Sequence, residues 1–133
     1  MTRRELGENY FKQGYNCAQA VVLAYKDVIG VDEQTAVKLI SGFGGGFGRM
    51  REVCGAVSGM VAVYGAVNGF ANADATTEKM ELYKAIQTLL KDFKELNGSY
   101  ICAELVDDRI KTPRPCALLV GDACEILEKH LSK

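Results

Sequence analysis

The chain has 133 residues, 48% of them hydrophobic and 25% charged, with a formal net charge of −1. That is one domain, long enough to bury a core without disulfide staples, and its scattered lysines and arginines exclude a nucleic-acid footprint or a polybasic membrane patch. The opening MTRRELGENYF carries two arginines but no apolar run behind them, so it is not a signal peptide and the expected location is cytoplasmic. Lasting structural disulfides are rare there, so five cysteines need another explanation.

Helix punctuation recurs along the chain and strand signals are nearly absent. Thr2 with Glu5 predicts a capping box, opening a short helix with Leu6, Tyr10 and Phe11 that Gly14 closes. Asn16, answered by Gln19, predicts a second helix to about Ile29, with Cys17, Val21, Ala24 and Val28 on one stripe. Asp32 caps a third, from Glu33 to Ile40. A glycine-rich loop follows, with Gly42, Gly44, Gly45, Gly46 and Gly48, and leads into an uncharged apolar segment from Val53 to Val67. Gly55 and Gly59 lie one turn apart, as do Ala62 and Ala66; such rows of small residues fit a central helix crowded on all sides. A membrane span needs about 20 apolar residues, and this segment is too short and too rich in small ones.

After a polar turn from Asn68 to Asp74, Asp74 or Thr76 starts a long amphipathic helix. Its expected buried face is Leu82, Ile86, Leu89, Leu90, Phe93 and Leu96, and Asn97–Gly98 ends it. Ser99 caps a short helix with Cys102, Leu105 and Val106. A charged loop from Asp107 to Pro115, with Pro113 and Pro115 as a helix entrance, leads to a last helix burying Leu119, Val120, Ala123, Ile126 and Leu127. The expected architecture is all-α: a single compact bundle of about seven helices around a glycine- and alanine-rich central helix, one domain over residues 1–133.

Cys17, Cys54, Cys102 and Cys116 all fall in the predicted first turn of a helix; Cys124 alone is mid-helix. Unpaired N–H groups and a partial positive charge at a helix start favour an anionic sulfur, the form that attacks disulfides and binds metals. Against this stands the plain packing of cysteine as a small buried residue. No two cysteines are spaced C-x-x-C, which removes a thioredoxin motif, a zinc ribbon and a haem attachment site. The glycine loop matches no nucleotide fingerprint. It reads either as a tight connection or as a backbone offering N–H groups beside Cys54, with Gly44, Gly45, Gly46 and Gly55 as the candidate cofactor contacts. Arg49 and Arg51 could offset thiolate or cluster charge. Single His130 is expected at the surface near a helix end, and Tyr15 and Tyr64 in the core.

At these residues the sequence resembles a family of redox-active proteins named for a four-cysteine pattern containing CGAxxG. The motif stands as Cys54–Gly55–Ala56–Val57–Ser58–Gly59, with GFGGGFGR before it, GYNCAQAV at Gly14 to Val21, FKELNGSYIC at Phe93 to Cys102, and Cys116 completing the pattern. The chain is also similar to the non-haem part of split-Soret cytochromes, which implies an iron–sulfur site; without C-x-x-C-H, haem binding does not carry over. Cys124 lies outside the pattern and is expected to be buried and inert.

The leading expectation is an iron–sulfur protein for electron transfer or sensing, with Cys17, Cys54, Cys102 and Cys116 as thiolate ligands. Structural zinc on the same four residues, thiol–disulfide chemistry on pairs such as Cys17–Cys54, and a non-catalytic helical interaction module stay open beside it. Whether the chain is itself an enzyme is open, with an oxidoreductase-associated role as the enzymatic reading. A redox partner protein is expected, with neither nucleic acid nor membrane, and a homodimer is an open alternative to a monomer. The four sulfurs should share one site, with Cys124 about 12 Å further along the last helix and outside it.

Overall fold

The computed structural model describes residues 1–106 and 115–131. Seven helices follow one another among them: α1 (Arg3–Lys12), α2 (Cys17–Ala24), α3 (Glu33–Ile40), α4 (Gly55–Asn68), α5 (Thr76–Asn97), α6 (Cys102–Val106) and α7 (Cys116–Leu131). Thr2 and Glu5 cap α1 reciprocally, at 3.1 and 2.9 Å. Asn16 and Gln19 do the same for α2, at 2.9 and 3.1 Å, and the Asp32 carboxylate accepts from the Thr35 N–H at 3.0 Å to open α3. These side chains satisfy N–H groups that every helix start leaves without an internal partner. α5 begins at Thr76, one of its two expected starts, and the residue before it, Ala75, has no capping side chain. Of the charged loop read from Asp107 to Pro115, all but Pro115 lies outside the described residues; the Pro115 carbonyl accepts from the Leu118 N–H at 3.0 Å at the entrance of α7.

The second helix is shorter than its pattern suggests. It stops at Ala24, where Tyr25 leaves helical geometry with φ −120° and ψ 20°. The Tyr25 hydroxyl donates to the Cys124 carbonyl of α7 at 2.8 Å. Arg3 lies 4.4 Å over the Tyr25 ring, donates to the Ala24 carbonyl at 2.8 Å and forks onto Asp27. Tertiary contacts thus replace the continuing helix, and Val28, expected on the buried stripe, is 42% exposed.

The core is centred on α2 and the first half of α4. Every residue of α2 except Gln19 is buried. Gly59 brings the two helices together: a Cβ there would stand 2.7 Å from the Ala18 carbonyl oxygen and 3.0 Å from the Val21 Cβ. Beyond Met60, where Val63 is the one buried residue, α4 is not crowded on all sides as expected; Ala62, Ala66 and Val67 are exposed. In α5 the buried residues are Leu89, Phe93 and Asn97, while Leu96 is 54% exposed. The first half of α5 holds no fully buried residue: Ile86 packs partly buried against the core, and Met80 and Tyr83 are exposed. His130 is not a bare surface residue, because its Nε2 meets Asp92 at 2.7 Å and ties α7 to α5.

On the other side, α1 lies against α7. Gly7 leaves room for the Cys124 sulfur, which would be 2.7 Å from a Cβ at that position. Arg4 reaches across to Asp122 at 2.5 Å and Glu125 at 2.6 Å. Among the described residues no helix is long and apolar enough to cross a membrane.

Candidate functional site

The site is built where the glycine-rich segment turns back on itself. Gly45, Gly46, Phe47, Gly48 and Arg49 all have φ between 62° and 72°, and Arg51 follows at 63°. Glycines enter this left-handed region freely, whereas Phe47, Arg49 and Arg51 each incur about 1–2 kcal/mol. Main-chain bonds hold the turn: Gly48 N–H to the Gly44 carbonyl at 3.0 Å, Arg51 to Gly45 at 3.3 Å and Glu52 to Gly46 at 3.1 Å. Asn16, besides capping α2, donates from Nδ2 to the Ser41 carbonyl at 2.9 Å. A Cβ on Gly44 would collide with that Asn16 side chain at 2.5 Å.

The chain leaves the turn in extended form and pairs with the segment before α6. Val53 and Ile101 form an antiparallel bridge. Cys54 N–H donates to the Tyr100 carbonyl at 2.8 Å, Cys102 N–H to Glu52 at 2.6 Å and Ala103 N–H to Arg51 at 3.1 Å. This pairing sets Cys54 and Cys102 at diagonal positions beside one bridge. A signal for it stands in the sequence: in both segments a β-branched residue directly precedes the cysteine, Val53–Cys54 and Ile101–Cys102. Gly46 packs beneath, where a Cβ would stand 2.7 Å from that of Cys102.

The four cysteines keep their expected places at helix starts. Cys17, Cys102 and Cys116 are the first residues of α2, α6 and α7, and Cys54 immediately precedes α4. Cys17, Cys54 and Cys102 are buried and Cys116 is half-buried; all four are free thiols. All four line one cavity of about 720 Å³, which lies in the range of ligand pockets, about 300–1,000 Å³. Gly44, Gly45, Gly55, Arg49, Arg51 and Tyr15 share its wall, while Gly46 is absent from it. The Cys17 sulfur sits against the start of α4, 2.6 Å from where a Gly55 Cβ would be. Cys124 is elsewhere, wholly buried between α7 and α1.

Electrostatics at Cys54 run against the lowering expected at a helix start. Burial pushes its thiol up to about 12, and the neighbouring Cys17 adds to the rise. The N–H groups of Val57 and Ala56 pull the other way with less effect. Burial also raises Cys116, again with Cys17 and then Cys102 adding, and Arg51 opposing. In this dry setting the dipole of a helix start is the smaller influence. Arg51 Nη1 reaches the Cys102 sulfur at 3.6 Å.

Among the described residues no three His, Cys, Asp or Glu side chains are grouped so as to hold a metal ion. The donor set facing the cavity is four thiols without an imidazole, since His130 is occupied at the far end of α7. Such an all-sulfur set, with a guanidinium and main-chain N–H groups beside it, is chemically suited to an iron–sulfur cluster.

No curated protein and no solved structure matches the chain. A family model described as "Putative redox-active protein (C_GCAxxG_C_C)" matches residues 15–130, a span that contains all four cavity cysteines. On that match the chain belongs to the C_GCAxxG_C_C family.

Proposed function

We propose that the protein is a redox protein whose Cys17, Cys54, Cys102 and Cys116 hold an iron–sulfur cluster used for electron transfer or sensing. The observation that carries this reading is the common cavity: four thiols from four helix starts, spread over the chain from residue 17 to residue 116, line one wall-to-wall space. A bound cluster would supply one-electron chemistry at a potential set by its surroundings. The chain's own contribution is to bury Cys17, Cys54 and Cys102 and to place main-chain N–H groups and cationic side chains beside the thiols. Burial disfavours a bare thiolate at Cys54, whereas a cationic centre deprotonates its thiol ligands outright. That contrast favours metal ligation over a free nucleophilic thiol. A partner protein would deliver or accept the electrons.

A second reading is supported by the Cys17 sulfur lying at the start of α4 beside Cys54. There the two thiols would give up two protons and two electrons to an oxidant partner and form a reversible disulfide.

The test is purification without oxygen, followed by iron, sulfide and zinc analysis and a visible spectrum. Iron with equimolar sulfide and a cysteinate-to-iron absorption band is the expected result. Serine at Cys17, Cys54, Cys102 or Cys116 should each lower iron content at least tenfold, and Cys124→Ser should leave it unchanged. Stoichiometric zinc in a colourless protein overturns the cluster reading. A metal-free protein with a dithiothreitol-reversible Cys17–Cys54 bridge selects the second reading instead.

A further inference from the structure

The left-handed backbone at Arg51 has a place in the chemistry of the site. Glycines occupy Gly45, Gly46 and Gly48 of the turn, yet the chain places an arginine at the last positive-φ position, φ 63°. Arg51 is pinned on both sides of its Cα. Its N–H donates to the Gly45 carbonyl at 3.3 Å, and its carbonyl accepts from the Ala103 N–H at 3.1 Å, one residue beyond Cys102. The backbone of α6's first turn and the backbone of Arg51 are therefore fixed to one another. From that fixed base Nη1 reaches the Cys102 sulfur at 3.6 Å. Arg49, two residues earlier, lines the same cavity, and among the described residues its guanidinium makes no such hydrogen bond to a cysteine sulfur.

We propose that Arg51 is a positioning residue for the Cys102 sulfur, donating to it and raising the reduction potential of the centre that the four cysteines hold. This rests on the iron–sulfur reading for the potential, though the contact to the sulfur does not. Reduction by one electron adds one negative charge to the centre. The guanidinium carries a permanent positive charge beside the Cys102 sulfur and would stabilise the reduced form more than the oxidised one. Hydrogen bonds to ligand sulfurs are among the means by which proteins set such potentials. The constrained backbone is what separates Arg51 from a mobile surface cation, whose effect solvent would screen.

The experiment is a potentiometric titration of the anaerobically purified protein and of Arg51→Gln, Arg51→Lys and Arg49→Gln. Arg51→Gln should lower the equilibrium constant for one-electron reduction at least tenfold, a shift of 59 mV to more negative potential. Arg51→Lys, which keeps the charge and loses the fork, should fall between Arg51→Gln and the wild type. Arg49→Gln should move the potential less than a third as far as Arg51→Gln. A shift under twofold in Arg51→Gln overturns the proposal. Equal shifts in Arg49→Gln and Arg51→Gln overturn it as well, because any cation in the cavity would then serve. If the protein purifies without a redox centre, the cluster reading has failed and a second readout decides the role of Arg51. In that metal-free protein, iodoacetamide alkylation of Cys102 at pH 8, followed by peptide mass spectrometry, should slow at least tenfold in Arg51→Gln, with added N-acetylcysteine in the same tube as the reference. Equal Cys102 rates in wild type and Arg51→Gln overturn the contact itself.

Discussion

One substitution made at two glycines of α4 should act with opposite sign. Gly59→Ala sets a Cβ 2.7 Å from the Ala18 carbonyl oxygen, 3.0 Å from the Val21 Cβ and 3.3 Å from the Ala18 Cα. The nearest of these is backbone of a helix buried everywhere except at Gln19, so α2 and α4 must separate for the methyl to fit. Overpacking of this kind costs about 3 kcal/mol at the upper end of its usual range. Alanine returns about 1 kcal/mol of helix propensity, leaving a net loss of about 2 kcal/mol. Gly65, a turn and a half further along, has nothing within 4 Å of an added Cβ, so Gly65→Ala keeps the propensity gain of up to about 1 kcal/mol. For 133 residues the unfolding entropy is about 0.28 kcal/mol per kelvin, which converts these changes to about −7 °C and up to about +4 °C in Tm. Urea and thermal unfolding of the reduced, metal-free protein, followed by far-ultraviolet circular dichroism, measure both. Because Cys17 begins α2 and Cys54 precedes α4, Gly59→Ala should also lower iron uptake while Gly65→Ala does not. Equal shifts in the same direction for both variants would refute the close crossing of α2 and α4.

The remaining predictions concern the packing of α1 on α7. Arg4→Met leaves the largely buried Asp122 without its cation and should cost about 2–4 kcal/mol, read as a drop in urea midpoint. Arg4 holds the Glu125 carboxyl below its ordinary value, through a side-chain hydrogen bond offset in part by burial. Wild-type stability should therefore be lost as pH falls from about 4.3 through the lowered folded value, with a shallower loss in Arg4→Met. At the alkaline end the sign reverses. Burial pushes the Cys124 thiol up to about 12, so above about pH 8.5 the unfolded chain releases a proton that the folded one keeps. Stability should then fall by about 1.4 kcal/mol per pH unit from this residue. Cys124→Ala should flatten the denaturation-midpoint profile between pH 9 and 11; an unchanged slope would mean that Cys124 ionises equally in both states.

Elements specified by neighbours in the chain were legible in the sequence. The capping pairs Thr2–Glu5 and Asn16–Gln19, the Asp32 cap and the Gly98 stop act within one turn, so their chemistry is local. The start of α2, which carries Cys17, was readable for the same reason, whereas Cys54 has no side-chain cap and the N–H groups of Cys102 and Ala103 go to the distant Glu52 and Arg51 carbonyls. What depended on distant partners was not. The early end of α2 is set by Arg3 and Cys124 acting on Ala24 and Tyr25, which no periodicity reports. The exposure of Leu96 and the absence of fully buried residues from the first half of α5 follow from how the rest of the fold packs on that helix. The left-handed run was only half visible: glycines permit it, but Phe47, Arg49 and Arg51 enter it because main-chain bonds on either side hold them there. The helix-start rule also misled on acidity at Cys54, since it counts the dipole and omits the water removed around the sulfur.

The length of α5 has a consequence that its composition does not reveal. At 22 residues it is about 33 Å long, and its last buried residues, Leu89, Phe93 and Asn97, stand just upstream of Gly98, where the chain turns toward Ile101 and Cys102. The helix therefore works as a gauge between the end of α4 and the bridge that pairs Ile101 with Val53. One residue inserted between Phe93 and Asn97 rotates everything after it by about 100° and points Ile101 away from its partner, so Cys102 loses its place beside Cys54. The same insertion between Thr76 and Tyr83, ahead of the core contact of Ile86, turns only the outer end of the helix, and the loop from Gly69 to Ala75 can absorb it. Insertions and deletions should accordingly be accepted between Thr76 and Tyr83 and rejected between Phe93 and Asn97, even where the added residue is an alanine that the helix itself would welcome.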